Sequence, residues 1–212
     1  MKAYVSEKAS DELKAFLKGR GCSISEVFAH AKVHEAIACH PDVYYCMLPE
    51  GLYEGAPSKL SPDYPGDVLY NAAAVGTHFI CSRYTDPGLI DEAKRQGLSP
   101  VIVPQGYVKC NLAVLDPHHV ITEDDGIAKI LSSVEDIECL HIKAGEVALP
   151  GFKYGCIGGA CGVIGNTVFF SGDLSSHSSF TKILDFCSSC GLETKWFPSY
   201  PLTDIGSVYI VN

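Results

Sequence analysis

The sequence is poor in the features that mark nucleic-acid binding, membrane insertion and secretion. Its 212 residues contain 16 Lys and Arg against 25 Asp and Glu, a formal net charge of −9. No basic cluster stands out, so we expect no nucleic-acid or anionic-membrane partner. No apolar run approaches the roughly 20 residues that a membrane-spanning helix needs. The first residues, MKAYVSEKAS, turn polar too early for a secretory signal. These absences predict a cytoplasmic protein.

Motifs for common cofactors and metals are also missing. The GCIGGACG run at 155–162 does not follow the order of strand, GxGxxG and long helix that binds dinucleotides, and no phosphate-binding P-loop is present. Cys187 and Cys190 form a CxxC at the C-terminal end of a predicted helix, where the dipole does not favour a thiolate. His30 and His34 share an i, i+4 spacing but lack the Glu of a zinc-protease motif. The sequence therefore predicts no cofactor and no metal.

Cysteine itself is abundant, with 10 residues. In a protein without a secretory signal, reduced thiols are expected rather than disulfides. Most of them lie inside apolar runs, where Cys behaves as a small hydrophobic residue.

Three internal stretches share one pattern: NAAAVGTHFICS from Asn71, NLAVLDPHHVIT from Asn111 and ACGVIGNTVFFS from Ala160. Each predicts a strand, a tight turn and a second strand. A helical run and another apolar strand follow each, so the period is about forty residues, which is typical of repeat architectures.

The N-terminus enters this pattern midway. The segment from Ser6 to Gly21 matches the segment from Ser82 to Gly97 in the spacing of Ser, helix and closing Gly. The strand that should precede Ser6 is found instead at the C-terminus, in DIGSVYIVN from Asp204. We expect the two chain ends to pair, because pairing would cover two edge strands that otherwise invite aggregation.

The pattern predicts one domain over residues 1–212, with a degenerate unit at about 36–66 and an inserted loop at 146–159. Residues 25–38 fit a strand followed by a helix, and the Pro-, Gly- and Ser-rich stretch 49–65 predicts a loop. Helices are expected at 10–19, 86–96, 125–133 and 176–190. Strands are expected at 43–48, 67–75, 78–82, 100–104, 107–115, 118–122, 137–143, 161–165, 167–171, 193–197 and 205–211.

About five ββαβ-like units closed head to tail resemble the pentein fold, the five-bladed α/β propeller of the guanidino-group-modifying enzymes. YPGDVLYNAAAVG (64–76), CLHIKAG (139–145) and DIGSVYIVN (204–212) resemble strings of the dimethylarginine dimethylaminohydrolases. The insert and the GCIGGACG run resemble uncharacterised bacterial relatives of that fold. The resemblance implies a five-fold pseudosymmetric α/β propeller with a central polar site for a small molecule, with a guanidino compound as the candidate ligand class.

The sequence departs from the enzymes at their reactive positions. Their C-terminal segment carries a nucleophilic Cys, where this chain has Ile205, Gly206 and Ser207. Their acidic pair, which grips the guanidinium, corresponds to the neutral Tyr70 and Asn71. Asn accepts hydrogen bonds but cannot neutralise a guanidinium. The catalytic histidine alone is matched, at His141, so the usual covalent mechanism is not expected.

Three residues are candidates for catalysis. His141 is a candidate general acid/base, or else a core histidine bonded to backbone. Cys161, in a glycine-rich turn, is a candidate displaced nucleophile, or else a small residue that permits tight packing. Glu146, just after the His141 strand, could supply a carboxylate that is missing elsewhere.

Five residues are candidates for substrate binding. Asn71 and Asn111 occupy equivalent repeat positions and either ring a ligand or bond the backbone of a neighbouring unit. His40, Asp42 and Asp204 either face the same axis or serve as ordinary turn residues.

Two functions remain open from the sequence. The first is an enzyme of the amidinohydrolase or amidinotransferase kind, acting on C–N bonds of a guanidino or related compound. The second is a non-catalytic pentein that serves as a binding or assembly module, for which a ribosome-binding initiation factor of the same fold is a precedent.

Overall fold

The computed structural model describes residues 1–29 and 33–211. His30, named above with His34, lies outside the described residues. The α-helices are α1 (Asp11–Gly19), α2 (Pro41–Tyr44), α3 (Pro87–Arg95), α4 (Val108–Asn111), α5 (Asp125–Leu131) and α6 (Phe180–Ser189). The strands are β1 (Lys2–Ser6), β2 (Ser23–Val27), β3 (Tyr45–Leu48), β4 (Gly51–Glu54), β5 (Ala73–Val75), β6 (His78–Ser82), β7 (Ser99–Val103), β8 (Leu112–Val114), β9 (His119–Thr122), β10 (Glu138–His141), β11 (Cys161–Ile164), β12 (Thr167–Phe170), β13 (Glu193–Lys195) and β14 (Tyr209–Val211).

These strands form five separate sheets, and none of the sheets in the described ranges closes on itself. Four sheets have three strands, in the orders β14-β1-β2, β5-β6-β7, β10-β9-β8 and β11-β12-β13, and the fifth is the β3-β4 hairpin. The predicted repeat is confirmed in the three internal units. In each, an antiparallel hairpin is followed by a helix and a third strand parallel to the second.

The predicted pairing of the chain ends is also confirmed. β14 runs antiparallel to β1, with Ala3 opposite Ile210, and β1 runs parallel to β2. Helix α1 connects β1 to β2, so the two chain ends together complete a unit of the same kind as the internal ones. Each edge of β1 is thereby hydrogen-bonded to another strand, which removes two open edges.

The helices begin where the sequence supplies capping side chains. The Ser10 side chain accepts a hydrogen bond from the Leu13 amide at the start of α1, and the Asp124 side chain accepts one from the Ile127 amide at the start of α5. Such caps satisfy amides that have no partner inside the helix. Leu13 and Leu17 of α1 are fully buried, and each contributes about 1.5–3 kcal/mol through burial.

Four sequence predictions of local structure are corrected. The stretch 49–65 was expected to be loop but contains β4, which pairs with β3. The helix expected within 25–38 is absent from its described residues, because β2 is followed by turns at 35–39. The strands expected over 67–75 and 107–115 are shortened at their starts, and 107–115 opens with the one-turn helix α4.

Within the described residues, buried apolar side chains form four clusters, and each joins neighbouring sheets. One joins the chain-end sheet, β14-β1-β2, to the β11-β12-β13 sheet. A second joins β11-β12-β13 to β10-β9-β8, and a third joins β10-β9-β8 to β5-β6-β7. The last joins β5-β6-β7 to the β3-β4 hairpin and includes Val27 of β2. The contacts therefore run from the chain-end sheet through every other sheet and return to it.

Candidate functional site

The segments that immediately precede the first strand of each sheet meet in the interior. Ser207, just before β14, is fully buried and has φ of 66°, the one non-glycine residue in the described ranges with a positive φ. Its Oγ lies 2.8 Å from Asp42 Oδ2 and 2.9 Å from the Gly158 carbonyl, and it accepts a hydrogen bond from Lys109 Nζ at 3.0 Å. A left-handed backbone conformation is energetically costly for a serine. Residues in such strained conformations are often found at functional sites.

Asn71 and Cys110 complete this central cluster. Asn71 Nδ2 donates to the Asp42 carbonyl at 3.2 Å, and Asn71 Oδ1 accepts from the Cys110 amide at 3.2 Å. The Cys110 thiol lies 3.2 Å from Asp42 Oδ2. Asn71 thus bonds the backbone of the units on either side of it, which is the structural role that the sequence left open for this residue.

Asp42 is fully buried, and burial raises the pKa of its carboxyl group. Lys109 and the Ser207 hydroxyl oppose that rise, because both interact better with the ionised form. Asp42 Oδ1 has no hydrogen-bond partner among the described residues. A buried polar atom without a partner is costly and indicates a place where a ligand or water can bind.

A cavity of about 120 Å³ adjoins this cluster. Its walls are mostly apolar and aromatic, and its polar lining comes from a histidine, an aspartate and two cysteines. The lining residues are Ile37, His40, Tyr107, Cys110, Leu149, Phe152, Tyr154, Cys156 and Asp204. The Tyr107 hydroxyl donates to the Asp67 carboxylate, which fixes the position of this aromatic ring.

Asp204 is the carboxylate of the cavity. It accepts hydrogen bonds from the Gly206 and Cys156 amides, each at 2.9 Å. Burial raises its pKa to about 6, against the opposing effect of these two bonds. Asp204 is therefore mostly ionised at neutral pH, and its negative charge is held in a place with little water.

His40 lies beside Asp204, with 3.7 Å between His40 Nδ1 and Asp204 Oδ1. Burial lowers the pKa of His40 to about 4, so the ring is neutral at physiological pH and the two residues do not form an ion pair. His40 Nδ1 has no hydrogen-bond partner among the described residues. The cavity thus offers a carboxylate and an unpartnered imidazole nitrogen side by side.

Glycines allow the backbone to come this close to the two polar side chains. A Cβ at Gly159 would lie 2.0 Å from Asp204 Oδ1, and a Cβ at Gly206 would lie 2.1 Å from the Cβ of His40. Gly206 also has φ of 79°, a conformation that other residues rarely adopt. Gly155 and Gly159 of the GCIGGACG run therefore let the backbone pack directly against the Asp204 side chain.

The cysteines near the cavity are not activated. Burial raises the pKa of Cys110 and Cys156, and the nearby Asp42 and Asp204 carboxylates raise both further. A thiol attacks as its thiolate, so neither residue is prepared for nucleophilic chemistry in this state.

A model for the family described as a family of unknown function (DUF6873) matches residues 50–209. The chain belongs to this family. A search of the curated proteins finds no match.

Solved structures of dimethylarginine dimethylaminohydrolase resemble this DUF6873 protein in fold. One is an adduct with 4-chloro-2-hydroxymethylpyridine, with 13% identity, a TM-score of 0.55 and coverage of 93% of this chain and 92% of that one. Another is a Cys-to-Ser mutant from Pseudomonas aeruginosa in complex with citrulline, with 11% identity, the same TM-score and the same coverage. At these identities the likeness establishes a mixed α/β fold of this kind. None of the helices in the described ranges of the DUF6873 protein is long and apolar enough to cross a membrane.

The structure brings together four of the predicted site residues of this DUF6873 protein: His40, Asp42, Asn71 and Asp204. Asn111 lies apart from the cavity lining, and its side-chain amide donates to the Tyr107 carbonyl of its own helical turn at 2.8 Å. Its role in binding stays a prediction.

The three predicted catalytic residues also lie outside the cavity lining. His141 is exposed, and its Nε2 lies 3.2 Å from Asp125 Oδ1. Glu146 accepts hydrogen bonds from the amide and hydroxyl of Ser178. Their catalytic roles stay predictions.

Cys161 lines a different pocket of about 190 Å³, together with Lys109. Burial raises its pKa to about 12, which keeps the thiol protonated. Its predicted catalytic role is likewise untested by the fold.

Sequence reasoning missed Lys109, Ser207, Cys110 and Cys156. A positional signal was available for three of them, because Lys109, Cys110 and Ser207 lie just before β8 or β14, as Asn71 lies just before β5. Cys156 lies in the segment between β10 and β11 and does not directly precede a strand, so its position gave no such signal.

Proposed function

We propose that this protein binds a small cationic nitrogen compound, of the guanidino or amine class, in the cavity over His40 and Asp204. The observation that carries the proposal is that buried carboxylates outnumber the cations that contact them. Asp42 and Asp204 are both buried, whereas Lys109 is the one cation hydrogen-bonded within the cluster as described. A ligand cation would compensate the second carboxylate, and a guanidinium is well suited to pair with it.

The walls of the cavity support the same ligand class. Tyr107, Phe152 and Tyr154 present aromatic rings to it, and a cation near a ring face is stabilised by about 0.5–2 kcal/mol. His40 Nδ1 can accept a hydrogen bond from a ligand N–H when its ring proton is on Nε2. Small-molecule sites typically combine apolar walls with a few such polar groups.

Binding without covalent catalysis is the form of this function that the geometry favours. The thiols that line the cavity are protonated, and His40, with a pKa of about 4, is a weak base at neutral pH. An amidinohydrolase- or amidinotransferase-like activity on a C–N bond is the second candidate. It is supported by the likeness in fold to dimethylarginine dimethylaminohydrolase and by the strained Ser207 beside Asp42.

We also propose that residues 1–212 form one domain in which the five sheets are the blades of an α/β propeller. The succession of apolar clusters from sheet to sheet supports this arrangement. So does the meeting of the five pre-strand segments, four of them at Ser207 and the fifth through the contacts of Asn71 with Asp42 and Cys110. In it, residues 36–66 form the degenerate unit and 146–159 the insert. The cysteines in the described ranges are all unpaired, which suits the reducing cytoplasm.

A thermal-shift panel tests the binding proposal. It includes arginine, methylated arginines, agmatine, creatine and simple amines, with citrulline as an uncharged analogue of the guanidino group. A ligand at 100 times its dissociation constant adds about 2.7 kcal/mol to the free energy of unfolding, which raises Tm by several degrees. Asp204→Asn should abolish the shift, and Asp185→Asn, at an exposed position of α6, should leave it unchanged.

Tyr154→Ala is a second variant in case Asp204→Asn does not fold. Tyr154 is 45% exposed, so the variant should fold and bind more weakly. A flat panel with wild-type protein would refute the cationic ligand class. Release of urea, ammonia or an amine from a bound compound would establish the enzymatic candidate instead.

A further inference from the structure

A histidine, a cysteine and an aspartate converge at a place that does not line the cavity. Asp116 lies in the turn between β8 and β9, His119 is the first residue of β9, and Cys190 is the C-cap of α6. One ligand atom from each lies within 4.8 Å of the other two. We propose that Asp116, His119 and Cys190 bind a divalent cation of the zinc type.

The donor set decides the class of metal. A thiolate and an imidazole are ligands that zinc prefers, with a carboxylate as a common third, whereas calcium and magnesium take oxygen ligands. Zn–S distances of about 2.3 Å and Zn–N distances of about 2.0 Å require small changes in the separations of these ligand atoms, including a slight separation of Asp116 from His119 Nδ1, which lie 2.8 Å apart. Side-chain rotation suffices for this, because His119 and Asp116 each keep 26% of their side-chain surface exposed.

The local backbone orients the Asp116 carboxylate. Asp116 Oδ1 accepts hydrogen bonds from the His118 amide at 2.7 Å and the His119 amide at 2.9 Å. The same carboxylate lies 2.8 Å from His119 Nδ1. These contacts hold the carboxylate beside the His119 ring.

Glu138 of β10 is not one of the three ligands. Its Oε2 lies 3.8 Å from His119 Nε2, whereas Asp116 lies beside Nδ1 of the same ring. A bound divalent cation stabilises the thiolate form of Cys190, which is the form that coordinates metal.

The metal would join two neighbouring sheets. Asp116 and His119 belong to the β10-β9-β8 unit, while Cys190 ends the helix of the β11-β12-β13 unit. The apolar cluster that contains Ile121 and Phe186 spans the same boundary. We therefore assign the site a structural role, as a crosslink that stabilises the packing of α6 against the β8–β9 hairpin.

Cobalt binding tests this proposal, because Co²⁺ occupies zinc sites and a cobalt–thiolate bond absorbs in the near ultraviolet. The full-length protein is stripped with a chelator and titrated with Co²⁺, and Tm is measured with and without Zn²⁺. Cys190→Ser and His119→Gln remove a ligand each. The matched controls are Cys139→Ser and His78→Gln. Cys139 is a partly buried free thiol on β10, and the His78 ring lies 2.7 Å from Asp136, in a pair like that of His119 and Asp116.

We expect a thiolate absorption band that saturates at one equivalent of Co²⁺, and a rise in Tm with Zn²⁺. Both should be lost in Cys190→Ser and His119→Gln and kept in the two controls. Circular dichroism without metal checks that each variant is folded, and a Cys190→Ala variant replaces the serine variant if it is not. The proposal is overturned if wild-type protein shows no band, or if the band persists without Cys190.

Discussion

Ser207 Oγ lies 2.8 Å from Asp42 Oδ2, although the two residues are 165 positions apart in the sequence. The contact joins the segment before the last strand to the segment before β3, and Lys109 binds the same serine hydroxyl from a third unit. Both side chains are fully buried. The contact therefore anchors the C-terminal segment to two other units, and its loss should lower the stability of the whole protein.

Ser207→Ala should lower the free energy of unfolding by about 1–3 kcal/mol, because it leaves buried polar groups of Asp42 and Lys109 with one partner fewer. Ser207→Gly removes the same hydroxyl but relieves the left-handed backbone, so it should be more stable than the alanine variant by roughly 1 kcal/mol. Urea denaturation of the two variants and wild type measures both differences. Equal stability of the alanine and glycine variants would show that the backbone at Ser207 is not strained.

Cation binding should weaken as the pH falls through about 6, because Asp204, with its pKa of about 6, then becomes protonated and loses its charge. His40 has a pKa of about 4 and stays neutral over this range, so it should not contribute. Isothermal titration calorimetry between pH 5 and 8 with the best ligand of the panel measures the effect. Affinity that is constant over this range would exclude Asp204 as the cation's counter-ion.

The Asp204 carboxyl group should also affect the stability of the unliganded protein, which should fall as the pH rises, whereas cation binding should strengthen. The folded-state pKa of Asp204 lies above the ordinary value of 3.8, so the folded state holds this proton more tightly than the unfolded state does. The stability that this contributes is fully present below pH 4 and is lost as the pH rises to about 6. A ligand cation should restore part of it at neutral pH.

Gly159→Ala should abolish ligand binding. The added Cβ would lie 2.0 Å from Asp204 Oδ1 and must displace that carboxylate from its two amide donors. Gly19→Ala is the matched control, since a Cβ there meets no atom within 4 Å, and it should bind as wild type does. Thermal shifts with and without ligand compare the two. Normal binding by a folded Gly159→Ala protein would mean that the ligand does not contact Asp204.

Cys110, Cys156 and Cys161 should react slowly with iodoacetamide in the folded protein at pH 7. Burial raises the pKa of each thiol, that of Cys161 to about 12, so little thiolate is present. Mass spectrometry of peptides from timed labelling measures the three rates, and urea-unfolded protein provides the reference in which all should react. Fast modification of one of the three in the folded state would identify an activated nucleophile and favour the enzymatic candidate.

Much of the fold could be predicted from the sequence because its signals are local. Caps such as Ser10 and Asp86, the apolar stripe of α1 and the repeated hairpin pattern each act over a few residues, and α1, α3, α5, α6 and the three internal units follow from such signals. The shortened starts of the strands expected at 67–75 and 107–115 have another cause. Residues there turn inward to bond neighbouring units, as Asn71 does with Asp42 and Cys110, and this overrides their strand propensity.

The sequence by itself determined the repeat, the pairing of the chain ends and the polar character of His40, Asp42, Asn71 and Asp204. Only the tertiary structure decided which groups meet: that Lys109 and Ser207 close on Asp42, that the segment containing Cys156 binds Asp204, and that His141 and Glu146 lie outside the cavity lining. The physical reason is that burial and long-range contact set the pKa and the partners of a side chain. Both depend on segments that are distant in the sequence and become neighbours only when the units pack together.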